Sequence, residues 1–215
     1  MNSPFPAIYL ITDRSRTRGR TIQDVIGKAL AGGVRFIQLR EKDLCAKDLF
    51  LLAKEIKELT DDYGAKLLIN ERVDIAMAVK ASGVHLPADS FRPDEARALL
   101  GPKGIVGVST HSLEEAAAAE KNGADFITFS PVYHTPSKAA YGKPQGVDRL
   151  KEICGITDIP VYALGGIDTD NAGEVMNAGA SGVSMISAII AADDVKKKAE
   201  KMLAATQNHV AGPKA

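Results

Sequence analysis

Cysteine, net charge and long apolar runs are all scarce in this 215-residue sequence, and each scarcity excludes something. Only Cys45 and Cys154 are present, with no C-x-x-C spacing, which excludes a disulfide framework and a cysteine zinc site and suits a reducing compartment. Both thiols are expected to be buried and inert. Lysine plus arginine equals aspartate plus glutamate at 27 each, so the overall balance calls for neither a nucleic acid nor an acidic membrane face as partner. No segment approaches the ~18 uncharged apolar residues of a membrane span, and Met1-Asn2-Ser3-Pro4-Phe5-Pro6 has no basic region leading into an apolar one. The protein is therefore read as soluble and cytoplasmic. A P-loop is missing too, since Gly142-Lys143 lacks the upstream glycine and runs into Pro144. Asp168-Thr169-Asp170-Asn171-Ala172-Gly173 imitates the opening of a calcium loop, but its twelfth position is Gly179 rather than glutamate, so Asp168 or Thr169 is expected to cap a helix instead.

What is present is alternation. Short β-branched runs are separated by longer Ala- and Leu-rich helical patterns, with no linker-like break, which is the pattern of βαβ units. Strands are expected at Ala7 to Thr12, Arg35 to Leu39, Lys66 to Asn70, Gly83 to Leu86, Ile105 to Ser109, Phe126 to Ser130, Val161 to Leu164 and Gly182 to Met185. Four are entered through similar phrases containing Gly33, Gly83, Gly123 and Gly179, each read as a helix C′ glycine. Ser112-Leu113-Glu114-Glu115 resembles a capping box. Eight such units fit a single-domain α/β chain, a (β/α)8 TIM barrel over residues 1–205 with a flexible tail at 206–215. A doubly wound sheet is the rival, but it would announce a Gly-rich first turn, and Thr12-Asp13-Arg14-Ser15-Arg16 has no glycine.

In a barrel, reactive groups gather at strand C-termini. Gln38, Arg40 and Lys42 share one parity after the second strand, so a persisting extended backbone would turn all three inward and concentrate positive charge that a phosphate or pyrophosphate could share. The alternative is a solvated turn in which Arg40 and Lys42 pair with Glu41 and Asp43. Gly165-Gly166 and Ile186-Ser187 stand where barrels bind phosphate through backbone N–H groups. His85 and His111 lie at strand ends without metal-ligand spacing and are read as hydrogen-bonding groups. No Ser-His-Asp or Cys-His set is recognisable.

These residues resemble the motif set of the thiamin phosphate synthase and thiazole tautomerase superfamily, along nearly the whole chain from Tyr9-Leu10-Ile11-Thr12-Asp13 to Val183-Ser184-Met185-Ile186-Ser187. The set includes Gln38-Leu39-Arg40-Glu41-Lys42, Leu68-Ile69-Asn70, Gly83-Val84-His85-Leu86, Gly107-Val108-Ser109, Thr135-Pro136-Ser137-Lys138 and Gly165-Gly166-Ile167. The resemblance implies a transferase that joins hydroxymethylpyrimidine diphosphate to a thiazole phosphate and releases pyrophosphate, with magnesium as cofactor. Gln38, Arg40, Lys42, Asn70, Ser109 and Lys138 would hold the pyrimidine diphosphate, Arg40, Lys42 and Lys138 acting on the leaving group. Thr135, Ser137, Gly165, Gly166, Ile186 and Ser187 would hold the thiazole phosphate. The family's magnesium aspartates correspond here to Glu71 and Ser90, with Asp89 beside the latter. The loop Leu86-Pro87-Ala88-Asp89-Ser90-Phe91 is closer to the tautomerase branch, whereas Pro131, where that branch has a histidine, is as in the synthases. An isomerase using His134 or Glu71, and a non-catalytic phosphate-ligand-binding paralogue, are the alternatives. Partners are small phosphorylated substrates, with a homodimer left open.

Overall fold

The computed structural model describes residues 3–135 and 144–207. Eight parallel strands, β1 (Ile8–Ile11), β2 (Phe36–Leu39), β3 (Lys66–Asn70), β4 (Gly83–Leu86), β5 (Ile105–Thr110), β6 (Phe126–Phe129), β7 (Val161–Leu164) and β8 (Gly182–Met185), pair in chain order and close into a barrel. Closure runs through the register Ile8↔Val183, Tyr9↔Ser184 and Leu10↔Met185, so the doubly wound alternative is overturned. Helices alternate with the strands: α1 (Ile22–Ala31), α2 (Ala46–Asp62), α3 (Val73–Ala78), α4 (Pro93–Leu100), α5 (Leu113–Lys121), α6 (Gly146–Ile156), α7 (Ala172–Asn177), the short α8 (Ser187–Ile190) and α9 (Val195–Gln207). No helix among the described residues is long and apolar enough to cross a membrane.

Strand parity divides the core in two. Outward side chains such as Leu10, Ile37, Ile69, Val84 and Val183 pack under the helices. Inward ones, Tyr9, Ile11, Phe36, Leu68, Phe126 and Tyr162, form a separate cluster inside the cylinder. Its rings meet edge-on or tilted, with Tyr9 and Phe126 perpendicular at 5.3 Å and Phe5 stacked on Phe36 from below at 5.4 Å. Bulky rings fit because neighbouring strands present glycine. A Cβ on Gly107 would lie 2.3 Å from the Phe126 ring, and one on Gly182 would lie 2.5 Å from that of Tyr162. Large and small residues thus alternate around the interior.

Several local expectations need correction. Gly83 does not end a helix. It is the first residue of β4, pressed so closely on the Ile105 carbonyl that no side chain fits, while Lys80 takes the left-handed conformation at φ 54°. The N-cap position of α7 is Asn171 rather than Asp168 or Thr169, and it makes no side-chain capping bond: its Oδ1 accepts from the Asp168 amide at 2.8 Å, while the Asp168 carboxylate accepts from the Thr169 amide at 2.6 Å. At α5 the Ser112 hydroxyl accepts from the Glu115 amide as expected, but the Glu115 carboxylate reaches past Ser112 to the His111 amide at 2.6 Å. Cys45 is exposed at the head of α2, where its thiol meets Asp48, and Cys154 is half-buried. α9 continues through Gln207 with Thr206 buried at 1 % exposure, its hydroxyl donating to the Leu203 carbonyl, so the tail expected from 206 does not begin there. Residues 208–215 lie outside the described ones.

Two glycine substitutions should move stability in opposite directions. Gly107→Ala drives a methyl into Phe126 and should cost about 1–3 kcal/mol. Gly27→Ala, inside α1 with nothing within 4 Å of the added carbon, should add about 0.5–1 kcal/mol. Urea denaturation of both variants beside the parent measures each change.

Candidate active site

Because every strand runs the same way, all eight C-terminal ends open at one mouth, and the interior changes character there. Above the aromatic floor the inward positions of six strands become polar: Gln38 on β2, Asn70 on β3, His85 on β4, Ser109 on β5, Thr128 on β6 and Ser184 on β8. Gln38, His85, Thr128 and Ser184 are buried. Gln38 Nε2 donates to the Tyr9 hydroxyl at 2.9 Å, and burial pushes the Tyr9 phenol well above its ordinary pKa, keeping it a neutral hydroxyl. His85 Nε2 lies 3.0 Å from Ser109 Oγ and 3.4 Å from Thr128 Oγ1. The Ser184 hydroxyl is buried with no hydrogen-bond partner among the described residues, a polar group facing the cup without an internal use.

The rim departs from the extended spacing at one point. The β2 ladder stops at Leu39, so Gln38, Arg40 and Lys42 are not a single inward row: Gln38 is buried inside, Arg40 is half-buried, and Lys42 is exposed in a turn. The cause lies at the end of the neighbouring strand β1. Thr12, fully buried, donates its amide to the Gln38 carbonyl and accepts the Arg40 amide on its hydroxyl, both at 2.9 Å. Glu41 is then drawn inward, its side chain only 3 % exposed, and accepts from both the amide and Nε of Arg14. Burial pushes the Glu41 carboxyl above its ordinary value, while hydrogen bonds from Thr12 and Arg14 pull the other way. Asp43 also pairs with Arg14, at 2.7 Å. The pairing of Arg40 and Lys42 with Glu41 and Asp43, the alternative weighed for this turn, is therefore not made. Neither cation forms an ion pair with a described residue.

After β3, Glu71 is exposed and holds a left-handed φ of 62°; after β4, Asp89 is exposed and Ser90 half-buried. After β5, His111 Nδ1 lies 2.7 Å from the Ser130 carbonyl, so that nitrogen carries the proton, and the His111 carbonyl accepts from Gln145. After β6, Thr135 is half-buried, whereas Ser137 and Lys138 lie outside the described residues. After β7, Gly165 and Gly166 adopt φ of 104° and 67°. A Cβ on Gly166 would come within 2.7 Å of Tyr133 Cβ and 2.8 Å of the His134 carbonyl, so this turn is folded directly against the segment leading to Thr135. Asp168, just beyond, pairs with Lys198 of α9. Burial would raise Asp168, but the Lys198 ammonium and the Thr169 amide outweigh it and hold the carboxyl below its ordinary value. After β8, Ile186 packs partly on the interior cluster and precedes exposed Ser187 at the head of α8.

Thr12, Arg14, Thr128 and Ser184 are not among the candidates read from the sequence. Thr12 and Arg14 follow a strand at its C-terminal end and could have been considered on that ground. Thr128 and Ser184 sit within apolar runs, and only the register reveals that they face inward. A cleft of about 520 Å³ opens beside the mouth, lined by Arg14, Thr17, Arg20, Leu44 and Leu52 among others. Its arginines are committed, Arg20 to the carbonyls of Thr17, Ile190 and Ala192, so this cleft offers an anion less than the polar cup does.

Gly166→Ala should displace Tyr133 and His134 and lower stability by about 1–3 kcal/mol, read from chemical denaturation. Lys198→Met should cost no more than about 1 kcal/mol at pH 7, since Asp168 is 52 % exposed and solvent screens the pair. Because folding depresses the Asp168 pKa, its contribution is present above the ordinary carboxylate value of about 3.9 and is lost as pH falls through the depressed one. Denaturation midpoints of parent and variant should converge across that window.

The family model for thiamine monophosphate synthase matches residues 8–189. The chain is 54 % identical over 198 residues to a Geobacter sulfurreducens protein provisionally named thiamine-phosphate synthase, covering 92 % of this chain and 93 % of that one. It is 43 % identical over 200 residues to the thiamine-phosphate synthase of Shouchella clausii, covering 93 % and 96 %. A solved structure of thiamine phosphate pyrophosphorylase from Pyrococcus furiosus superposes with a TM-score of 0.85 at 36 % identity, covering 93 % of this chain and 95 % of that one. A polar cup over an aromatic floor, rimmed at the mouth of a closed parallel barrel by two cations that form no ion pair among the described residues, thus accompanies a family match over most of the chain, and the protein belongs to the thiamine monophosphate synthase family.

Proposed function

We propose that this protein is a thiamine-phosphate synthase, joining hydroxymethylpyrimidine diphosphate to a thiazole phosphate in thiamin biosynthesis. The observation that carries the reading is the pair Arg40 and Lys42 at the rim of the cup, kept out of ion pairs with described residues while their acidic neighbours are engaged elsewhere. Buried Gln38, with Asn70 and Ser109 on neighbouring inward positions, suits hydrogen bonding to an aminopyrimidine, and Arg40, Lys42 and Lys138 suit its diphosphate. Thr135, Ser137, Gly165, Gly166, Ile186 and Ser187 are proposed to receive the thiazole phosphate.

The chemistry asks little of the protein beyond charge and placement. The bond between the pyrimidine methylene carbon and the diphosphate oxygen breaks with its electron pair leaving on oxygen, and the lone pair of the thiazole nitrogen forms the new C–N bond. Negative charge grows on the departing pyrophosphate, where Arg40 and Lys42 stabilise it most. Holding two substrates together removes much of the entropic barrier, and no protein nucleophile is needed.

The donor set suits magnesium. Glu71 and Asp89 are exposed hard-oxygen donors after the adjacent strands β3 and β4, with the Ser90 hydroxyl beside them. Among the described residues no three His, Cys, Asp or Glu side chains converge, so a cation there would draw its remaining ligands from water and substrate phosphate oxygens. When bound, magnesium would neutralise charge on the diphosphate. His134 and Glu71, which an isomerase would need for proton transfer, are both exposed.

Purified protein given both substrates and magnesium should form thiamin phosphate and release pyrophosphate in equal amounts; no product above background overturns the reading. Arg40→Ala should lower kcat/KM by about 100-fold or more while leaving the melting temperature close to the parent's.

A further inference from the structure

The segment Arg40-Glu41-Lys42-Asp43 alternates charge, and left to itself it would neutralise its own cations. The fold prevents this with a single residue from another unit. Arg14 takes Glu41 on its amide at 3.0 Å and on Nε at 3.3 Å, and takes Asp43 on its terminal nitrogen at 2.7 Å. Both acids of the segment are thereby bound to one cation, and both bases are left without an ion pair among the described residues. Arg14 is itself held in place: the Asp13 carboxylate accepts from the amide and hydroxyl of Ser15, the Arg16 amide returns to the Asp13 carbonyl, and the Thr17 amide and hydroxyl return to the Arg14 carbonyl. Thr12 joins the same two stretches one step earlier, through the Gln38 carbonyl and the Arg40 amide. The two loops are zipped from residue 12 to residue 14 against residues 38 to 43.

Resting on the synthase reading, we infer that Arg14 is a positioning residue which sequesters Glu41 and Asp43 so that Arg40 and Lys42 remain available to a pyrophosphate group. Arg14 touches no substrate in this scheme. The buried carboxylate matters more than the exposed one: Glu41 sits where water screens poorly and is bonded in sequence to both cations, while Asp43 is 75 % exposed.

The test combines calorimetric binding of inorganic pyrophosphate, in the presence of magnesium, with steady-state kinetics. Arg14→Ala should weaken pyrophosphate binding and raise KM for the pyrimidine diphosphate about five- to tenfold, with kcat changed by less than about twofold. Adding Asp43→Asn to Arg14→Ala should recover part of that loss, because it removes a competing carboxylate; a merely structural arginine would give a double variant no better than the single. Should Arg14→Ala unfold because Glu41 is stranded, Arg14→Gln combined with Glu41→Gln removes the buried charge together with its partner. That double variant should bind pyrophosphate nearly as the parent does. Unchanged pyrophosphate affinity in Arg14→Ala, or no recovery in either double variant, overturns the inference. A parent that binds pyrophosphate yet makes no thiamin phosphate overturns the synthase reading alone, and a parent that binds no pyrophosphate overturns both.

Discussion

Closing the sheet between β1 and β8 creates an interior that side chains alone can fill, and the filling decides where chemistry is possible. Toward the N-terminal ends of the strands the space is taken by rings that need glycines opposite them, Phe126 over Gly107 and Tyr162 over Gly182. Toward the C-terminal ends the inward residues shorten and become polar, so the cylinder holds a cup rather than a plug. Floor and cup come from the same strands, two residues apart: Phe36 and Gln38, Leu68 and Asn70, Phe126 and Thr128. Rigidity below is what gives the polar groups above fixed positions.

Charge at the rim is organised by the same economy of position. Nine cations and anions crowd the loops after β1 and β2 (Asp13, Arg14, Arg16, Arg18, Arg20, Arg40, Glu41, Lys42 and Asp43), yet the pairing is selective. Arg14 collects two carboxylates, Asp13 faces Arg16, and Arg40 and Lys42 stay outside every described pair. Selectivity of this kind needs burial: an exposed Glu41 would exchange partners freely, whereas the buried one pairs with Arg14 alone among the described residues.

The barrel was legible because its signal is periodic. Four of the eight strands begin and end at the residues expected from apolar runs and flanking turns, and the other four differ by a residue at one or both ends, as at Ile8–Ile11 against Ala7 to Thr12. Parity turned Gln38 inward, whereas Asn70 and Ser109 were legible only as residues at strand C-termini and through the family resemblance. What escaped were contacts between loops. Lys42 leaves its expected row because Thr12 and Arg14, some 27 residues earlier in the chain, end the ladder at Leu39, and no local pattern encodes that. Gly83 was misassigned because a glycine demanded by close packing and one demanded by backbone handedness look identical in sequence.

Arg20 bears on how the chain reaches its shape. From the loop after the first strand it binds the carbonyls of Ile190 and Ala192, while α1 packs on α9 and β1 takes a hydrogen-bonded partner from β8. The beginning of the polypeptide is therefore completed by its end. A nascent chain emerging from the ribosome would carry one edge of β1 unpaired until β8 had been synthesised. Cylinder closure makes the last βα unit a condition for the native environment of the first.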